Sequence, residues 1–220
     1  MMSETAFEKL CLACQAGRVG EVRTILSSLS PVEARPSELS RMLNKEWRNC
    51  GQTPLHLSAG NKECIELLVS AGADPNKSVA GKTPLFRAVF IGAVDCIDAL
   101  LALGGDPNKI DDNGHSPLFT AVTNGSHECT EKLLEGGADP NIISDDGWSC
   151  LYRAIERFDS KCVDMLLARG AISSVGNLSM WCDLHIATLI GNDAGVKYLL
   201  KKGEDLRSTE RGTHLAHQAI

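Results

Sequence analysis

The sequence predicts an all-α fold, a solenoid of stacked helix-turn-helix units. Three observations predict it. A set of residues recurs at intervals of 32 or 33 positions, the length of a small supersecondary unit. Within each period the apolar residues are spaced for two short amphipathic helices. Aromatic residues make up only 5% of the chain, and the small and aliphatic residues that replace them suit thin, closely packed helices.

Cysteines, leucines, glycines and turn residues mark the period. Four cysteines, at positions 64, 96, 129 and 162, are separated by 32, 33 and 33 residues. Paired leucines recur with them, as at Leu100-Leu101, and a glycine follows each pair by three positions, as at Gly104. The tripeptide Asp-Pro-Asn then occurs at 74–76, 106–108 and 139–141. Asp and Asn bond their own backbone and Pro fixes φ, so each tripeptide indicates a turn.

Each period can be interpreted as two helices. Thr83-Pro84 and Ser116-Pro117 place a capping hydroxyl directly before a proline, which is typical of a helix start. Gly92 separates the two helices of its unit, and Gly104 ends the second one, where a positive φ favours glycine. Helical spacing is shown by Leu85, Ala88 and Val89 in the first helix and by Ile97, Leu100 and Leu101 in the second. A pair this small cannot bury both faces alone, so it must stack on its neighbours.

These residues resemble the ankyrin repeat, which has a Thr-Pro-Leu-His opening, a Gly-Ala-Asp turn and a 33-residue period. The resemblance implies one ankyrin-repeat domain over 1–220, with its units joined by β-hairpin-like loops. Residues 4–29 resemble a diverged first unit, 51–208 five repeats, and 209–220 an incomplete unit or a capping helix. Residues 30–50 are an inserted segment in which 37–43 can form a short helix. We expect this segment to be a packed loop, and the alternative is a binding element. The repeats begin near Gly51, Gly81, Gly114, Gly147 and Trp181.

One repeat is shorter than the others. From Thr53 to Cys64 there are 11 positions, whereas Thr83 to Cys96 takes 13. We therefore expect the first helix of this repeat to end early.

Charge and composition restrict the ligand and the compartment. The formal net charge of -6 argues against nucleic acid or an anionic membrane as the main ligand. No apolar run approaches the ~18 residues of a membrane span, and Glu4 stands where a signal peptide would carry positive charge. Nine cysteines are an odd number, so they cannot all pair internally. We expect a monomeric protein of the cytosol or nucleus.

The sequence predicts no catalytic residue, cofactor or metal. Cys11 and Cys14 have the two-residue gap of redox and zinc sites, but no second pair completes a tetrahedral set. An enzymatic alternative would rest on these two thiols. Cys64, Cys96, Cys129 and Cys162 fall at an inward position of the second helix, where we expect them to be buried. His56 and His185 match the histidine of the family's opening, which implies structural hydrogen bonds.

The resemblance implies a non-catalytic module that binds one or more partner proteins. Ankyrin repeats bind through a concave surface of hairpin tips and first helices. Trp148 and Trp181 are the strongest candidates there because tryptophan concentrates interface energy, although a tryptophan equally packs on its own neighbour. Partner-binding residues are predicted at the position just before the residue that caps each first helix: Gln52, Lys82, His115, Trp148 and Trp181. Further binding residues are predicted one helical turn inward from these positions, at Arg87, Thr120 and Arg153.

The resemblance also implies a modification. Cytosolic asparagine hydroxylases act on ankyrin hairpin asparagines that have Leu eight residues and Asp two residues before them. Asn76, Asn108 and Asn141 fit this pattern. They are candidate hydroxylation sites, although proline stands before each where valine is more usual.

An alternative function is a substrate-recognition subunit of a ubiquitin ligase. Cysteine in the second helix and the opening Thr83-Pro84-Leu85-Phe86 resemble ankyrin proteins that carry a suppressor-of-cytokine-signalling box. No such box is visible before Ile220, so on this alternative it would lie beyond residue 220.

Overall fold

The computed structural model describes residues 4–29 and 36–171, together with Thr188, Gly191, Asp193, Val196, Lys197 and Leu200. In these residues the regular elements are helices and no strand occurs; Val79 and Lys82 form an isolated antiparallel bridge. None of the described helices is long and apolar enough to cross a membrane. The helices are α1 (Glu4–Gln15), α2 (Val19–Leu29), α3 (Pro36–Leu43), α4 (Pro54–Leu57), α5 (Lys62–Ser70), α6 (Pro84–Ile91), α7 (Val94–Ala102), α8 (Pro117–Asn124), α9 (His127–Glu135), α10 (Cys150–Glu156) and α11 (Ser160–Ala168).

The chain divides into two compact units, Met1–Asp112 and Asn113–Ile220. In the first unit the helix pairs α1/α2, α4/α5 and α6/α7 stack in two layers. One layer is made of the first helices, since α4 contacts both α1 and α6. The other is made of the second helices, since α5 contacts both α2 and α7. Leu55, Ile65, Leu85 and Leu100 are fully buried between them, as their helical spacing requires.

The second unit repeats this arrangement. Its pairs are α8/α9 and α10/α11, with α8 against α10 and α9 against α11. Leu118, Leu133, Leu151 and Leu166 lie in its core with no exposed surface or almost none. The predicted all-α class and the stacking of helix pairs are confirmed in both units. The last predicted repeat and the 209–220 segment lie outside the described residues, apart from the six isolated positions.

Side-chain caps begin the first helices, as predicted. Thr83 Oγ1 accepts a hydrogen bond of 3.1 Å from the Phe86 amide, and Ser116 Oγ accepts one of 3.1 Å from Phe119. Each cap satisfies one of the amides that a helix start leaves without an intrahelical partner. The shortened repeat also behaves as predicted, because its first helix α4 has 4 residues whereas α6 has 8.

The cysteines at the 33-residue interval are core residues. Cys64, Cys96, Cys129 and Cys162 are all buried, which confirms the prediction. They fill second-helix positions as small apolar side chains. Packing in the core therefore accounts for the interval of 32 or 33 residues between these cysteines.

The segment between the first two helix pairs is packed where the structure describes it. It contains α3, and Leu43 at the end of that helix is fully buried. Met42 and Trp47 pack against Phe7 and Cys11. Residues 30–35 lie outside the described part of the chain.

Candidate protein-binding surface

The hairpin before α6 is a two-residue turn. Val79 and Lys82 exchange backbone hydrogen bonds of 2.9 and 3.0 Å, and the two central residues have positive φ, 47° at Ala80 and 72° at Gly81. Positive φ at both central positions is what a type I′ turn requires. A Cβ on Gly81 would lie 2.5 Å from the backbone nitrogen of Asp112, so the next hairpin packs directly on this glycine. This packing fixes where Lys82 leaves the turn.

Asparagine side chains tie successive hairpins of the first unit together. Asn76 Oδ1 accepts a hydrogen bond of 2.7 Å from the Asp106 amide, and Asn76 Nδ2 donates one of 2.8 Å to the Gly104 carbonyl. In the second unit Asn141 Nδ2 donates to the Gly170 carbonyl over 3.2 Å. Hydroxylation of Asn76, Asn108 and Asn141 stays a prediction. In the folded protein both Oδ1 and Nδ2 of Asn76 already form hydrogen bonds.

Asn44 performs the same task, which the sequence analysis missed. Its Oδ1 accepts a hydrogen bond of 2.8 Å from the Asp74 amide, and its Nδ2 donates to the Ser40 carbonyl over 2.9 Å. A signal was present, because Asn44-Lys45 precedes Asn76-Lys77 by 32 residues, and Asn108-Lys109 follows after another 32. It was hidden because Asn44 lacks the Asp-Pro that marks the other turns.

In three repeats the residue before the cap packs on a ring of its own first helix. This residue and the ring four positions later lie on the same side of the helix start. The pairs are Lys82 Nζ with Phe86 (5.5 Å to the ring centroid), His115 with Phe119 (4.6 Å between centroids, 4° between planes) and Trp148 with Tyr152 (4.3 Å, 28°). Each pair holds a large side chain at the hairpin in a defined position.

In the second unit these pairs form a group that we call the aromatic face, made of His115, Phe119, Trp148, Tyr152 and Arg153. The Arg153 guanidinium lies 5.4 Å from the centroid of the Phe119 ring and pairs with Glu156 at 2.5 Å. Its Nε is buried without a hydrogen-bond partner among the described residues. The cation-ring contact joins the two repeats of this unit.

The predicted binding residues in the described part of the chain have different exposures. Trp148 is half-buried, because its stacking on Tyr152 covers part of the side chain and leaves the rest exposed to solvent. Thr120 is half-buried too, and its hydroxyl donates to the Ser116 carbonyl over 3.3 Å. Trp181 and His185 lie outside the described residues.

The remaining predicted residues lie together in the first unit, at a groove of about 280 Å³ between the hairpins and α6. Gln52, Lys82 and Arg87 line it with Phe90, whose side chain is 65% exposed. We call it the first-unit groove. It combines cationic groups with aromatic surface.

His56 lies beneath this groove and has a structural role. Its Nε2 donates to the Lys82 carbonyl over 3.0 Å, and its Nδ1 lies 2.7 Å from the Thr53 hydroxyl. A carbonyl can only accept, so Nε2 carries the proton and Nδ1 accepts from Thr53. Burial lowers the pKa of His56, and the positive charges of Arg87 and Lys77 lower it further. The hydrogen bond to the Lys82 carbonyl and the negative charge of Glu46 act in the opposite direction, but the net pKa is lowered.

The thiols on which an enzymatic function would rest are inaccessible. Cys11 and Cys14 are fully or almost fully buried. Burial raises the pKa of Cys11 to about 12 and raises the pKa of Cys14 as well. Both thiols are therefore protonated at neutral pH, whereas a nucleophile or metal ligand must be a thiolate.

One cluster in the second unit has the composition of a metal site. Ligand atoms of His127, Asp159 and Cys162 lie within 4.8 Å of one another. However, Asp159 caps α11 by accepting from the Cys162 amide over 3.1 Å, and both of its carboxylate oxygens lie 2.9 Å from His127 Nε2. Burial, with Asp159 beside it, raises the pKa of Cys162 to about 12. We interpret the cluster as a helix cap linking neighbouring repeats.

Phe158 is a second feature that the sequence analysis missed. It is 61% exposed and has a φ of 56°, at a position where the two preceding repeats have Gly92 and Gly125 with similar φ. A bulky residue at positive φ is strained, because its Cβ approaches the following carbonyl. The substitution of phenylalanine for glycine in the repeat pattern was the signal.

The comparisons with known proteins agree with this architecture. A family model described as ankyrin repeats matches three overlapping stretches of the chain, residues 10–111, 85–177 and 118–210. Together the matches extend from residue 10 to residue 210. No curated protein matches the chain significantly.

Proposed function

Since this chain belongs to the ankyrin-repeat family, we propose that it is a non-catalytic module that binds a partner protein through its hairpins and first helices. Ankyrin repeats generally mediate protein–protein interaction. The eight described cysteines are all free, which supports the cytosol or nucleus as the compartment. A role as the substrate-recognition subunit of a ubiquitin ligase stays a prediction.

The observation that carries this proposal is the aromatic face of the second unit. Tryptophan, tyrosine and arginine are the residue types that contribute most to interface energy. Here Trp148 is already stacked on Tyr152, and Arg153 is held by Glu156 and the Phe119 ring. Preordered side chains lose little conformational entropy on binding. The hairpins therefore support a rigid surface for recognition.

The test is a paired measurement on Trp148→Ala. A partner is first isolated by affinity capture with the intact protein, and its affinity and the melting temperature of the module are then measured. We expect the substitution to weaken binding by about 2 kcal/mol, or about 30-fold, because an interface anchor is lost. We expect the melting temperature to fall by only a few degrees, since the ring is at the surface.

Two variants serve as controls. Trp148→Phe keeps an aromatic ring against Tyr152 and should retain most of the affinity. Lys161→Gln alters an exposed residue of the second helix α11 and should bind as tightly as the unchanged protein. Unchanged affinity in Trp148→Ala, together with a lower melting temperature, would assign this tryptophan to packing alone.

A further inference from the structure

The first-unit groove has an apolar side and a cationic side. Val79, Phe86 and Phe90 supply apolar surface, while Lys82 and Arg87 supply positive charge. At about 280 Å³ it is slightly smaller than the usual small-molecule site of about 300–1,000 Å³. It is therefore of a size to take side chains of a partner.

The groove is open because the neighbouring helix is short. Helix α4 ends at Leu57, whereas α6 continues to Ile91, so the last turn of α6 lacks a helical neighbour on that side. Phe90 and Ile91 in this turn are 65% and 49% exposed. The two residues by which the repeat is shortened thus leave an aromatic side chain uncovered.

The cations of the groove have no acidic partner in the described part of the chain. Arg153, which is equivalent to Arg87 two repeats later, pairs with Glu156 three residues further on. At the corresponding position after Arg87 the chain has Phe90. Lys82 is held over the Phe86 ring, and no described carboxylate forms an ion pair with Lys82 or Arg87. In a protein of net charge -6, this local excess of positive charge is complementary to an acidic ligand.

We propose that the first-unit groove binds a segment of a partner protein in which an acidic side chain lies next to an apolar one. The proposal rests on the proposed protein-binding function. The carboxylate pairs with Arg87 and Lys82, and the apolar side chain packs on Phe90. Arginine suits this role because its planar guanidinium binds a carboxylate with two parallel hydrogen bonds.

The test begins with random short peptides displayed on phage and selected on this 220-residue chain. We expect the selected peptides to carry Asp or Glu beside Leu, Ile, Met or an aromatic residue. The affinity of a selected synthetic peptide should fall about tenfold or more in Arg87→Glu, because charge reversal converts attraction into repulsion. Lys161→Glu, which reverses an exposed charge in the other unit, is the matched control and should leave the affinity unchanged. Phe90→Ala, at an exposed position, should also weaken binding without affecting the fold.

Cys50 provides a direct report of occupancy. It is exposed and lines the groove, whereas the other seven described cysteines are buried. A saturating selected peptide should slow alkylation of Cys50, measured by mass spectrometry, and this protection should be absent in Arg87→Glu.

Three results would overturn the proposal. The first is the selection of neutral or basic peptides, and the second is a selected peptide that binds Arg87→Glu as tightly as the unchanged protein. The third is alkylation of Cys50 that is not slowed by a saturating concentration of the peptide. None of them bears on the aromatic face. If the captured partner still loses affinity in Trp148→Ala, the protein-binding function stands and only the first-unit groove is excluded. If Trp148→Ala and Arg87→Glu each bind the partner as tightly as the unchanged protein does, both the protein-binding function and the first-unit groove proposal fail.

Discussion

Replacing Gly81 by alanine should reduce the free energy of unfolding by about 3 kcal/mol. Part of the loss is conformational, because a φ of 72° costs a residue with a Cβ about 1–2 kcal/mol. The rest comes from the next hairpin, since the new Cβ would lie 2.5 Å from the Asp112 backbone nitrogen. Backbone cannot rotate away as a side chain can, so the two hairpins must separate. Urea denaturation followed by circular dichroism measures the change.

Gly92→Ala is the matched control for this prediction. Gly92 has almost the same φ, 74°, but a Cβ there would meet no atom within 4 Å. Its substitution should cost only the conformational part, about 1–2 kcal/mol. Equal losses in the two variants would show that packing between the hairpins contributes nothing.

His56→Ala should also destabilise the protein by about 3 kcal/mol. The ring is 2% exposed, so its removal leaves a cavity, and truncation of a buried ring is among the most costly core changes. The Thr53 hydroxyl and the Lys82 carbonyl would each lose a hydrogen-bond partner as well. The measurement is again the free energy of unfolding, at pH 7, where the ring is neutral.

His56→Phe separates packing from hydrogen bonding and gives a pH test. The next two repeats have Phe86 and Phe119 at this position, so the ring should fit and the loss should be about 1–2 kcal/mol. Burial lowers the pKa of His56 in the folded protein, so below the unfolded value of about 6.5 the unfolded chain binds the extra proton. Stability of the unchanged protein should therefore fall between pH 7 and pH 5, and less so in His56→Phe. Identical pH dependence in both proteins would show that this histidine is not the group responsible.

The periodic features were predictable because each one depends on local chemistry. Thr83 and Ser116 cap helices wherever a proline and an apolar face follow them, and the spacing of Cys129 places it inward whatever surrounds it. The early end of α4 followed from counting the positions between Thr53 and Cys64. These properties need no knowledge of distant contacts.

The features that were missed depend on residues far apart in the sequence. Asn44 lacks the Asp-Pro that marks the other turns, so the 32-residue Asn-Lys interval was its one signal, and its bond to a hairpin 30 residues later is what reveals its role. Phe158 stands where the repeat has glycine, which was its signal, but the positive φ opposes the intrinsic preference of phenylalanine and is imposed by the fold around it. The opening of the first-unit groove likewise depends on where α4 ends relative to α6. The repeat periodicity thus predicts where the binding surface lies, whereas the chemistry of that surface depends on residues that differ from the repeat pattern.

The most direct test of the protein-binding account is a hydrogen–deuterium exchange footprint of the chain with its captured partner. The account predicts slower exchange in the hairpins, at 79–82 in the first unit and 144–148 in the second, and at the starts of α6 and α10. The second helices α5, α7, α9 and α11 should exchange at the same rate with and without the partner. Protection confined to those second helices, with the hairpins unchanged, would contradict the account and place the partner on the opposite layer.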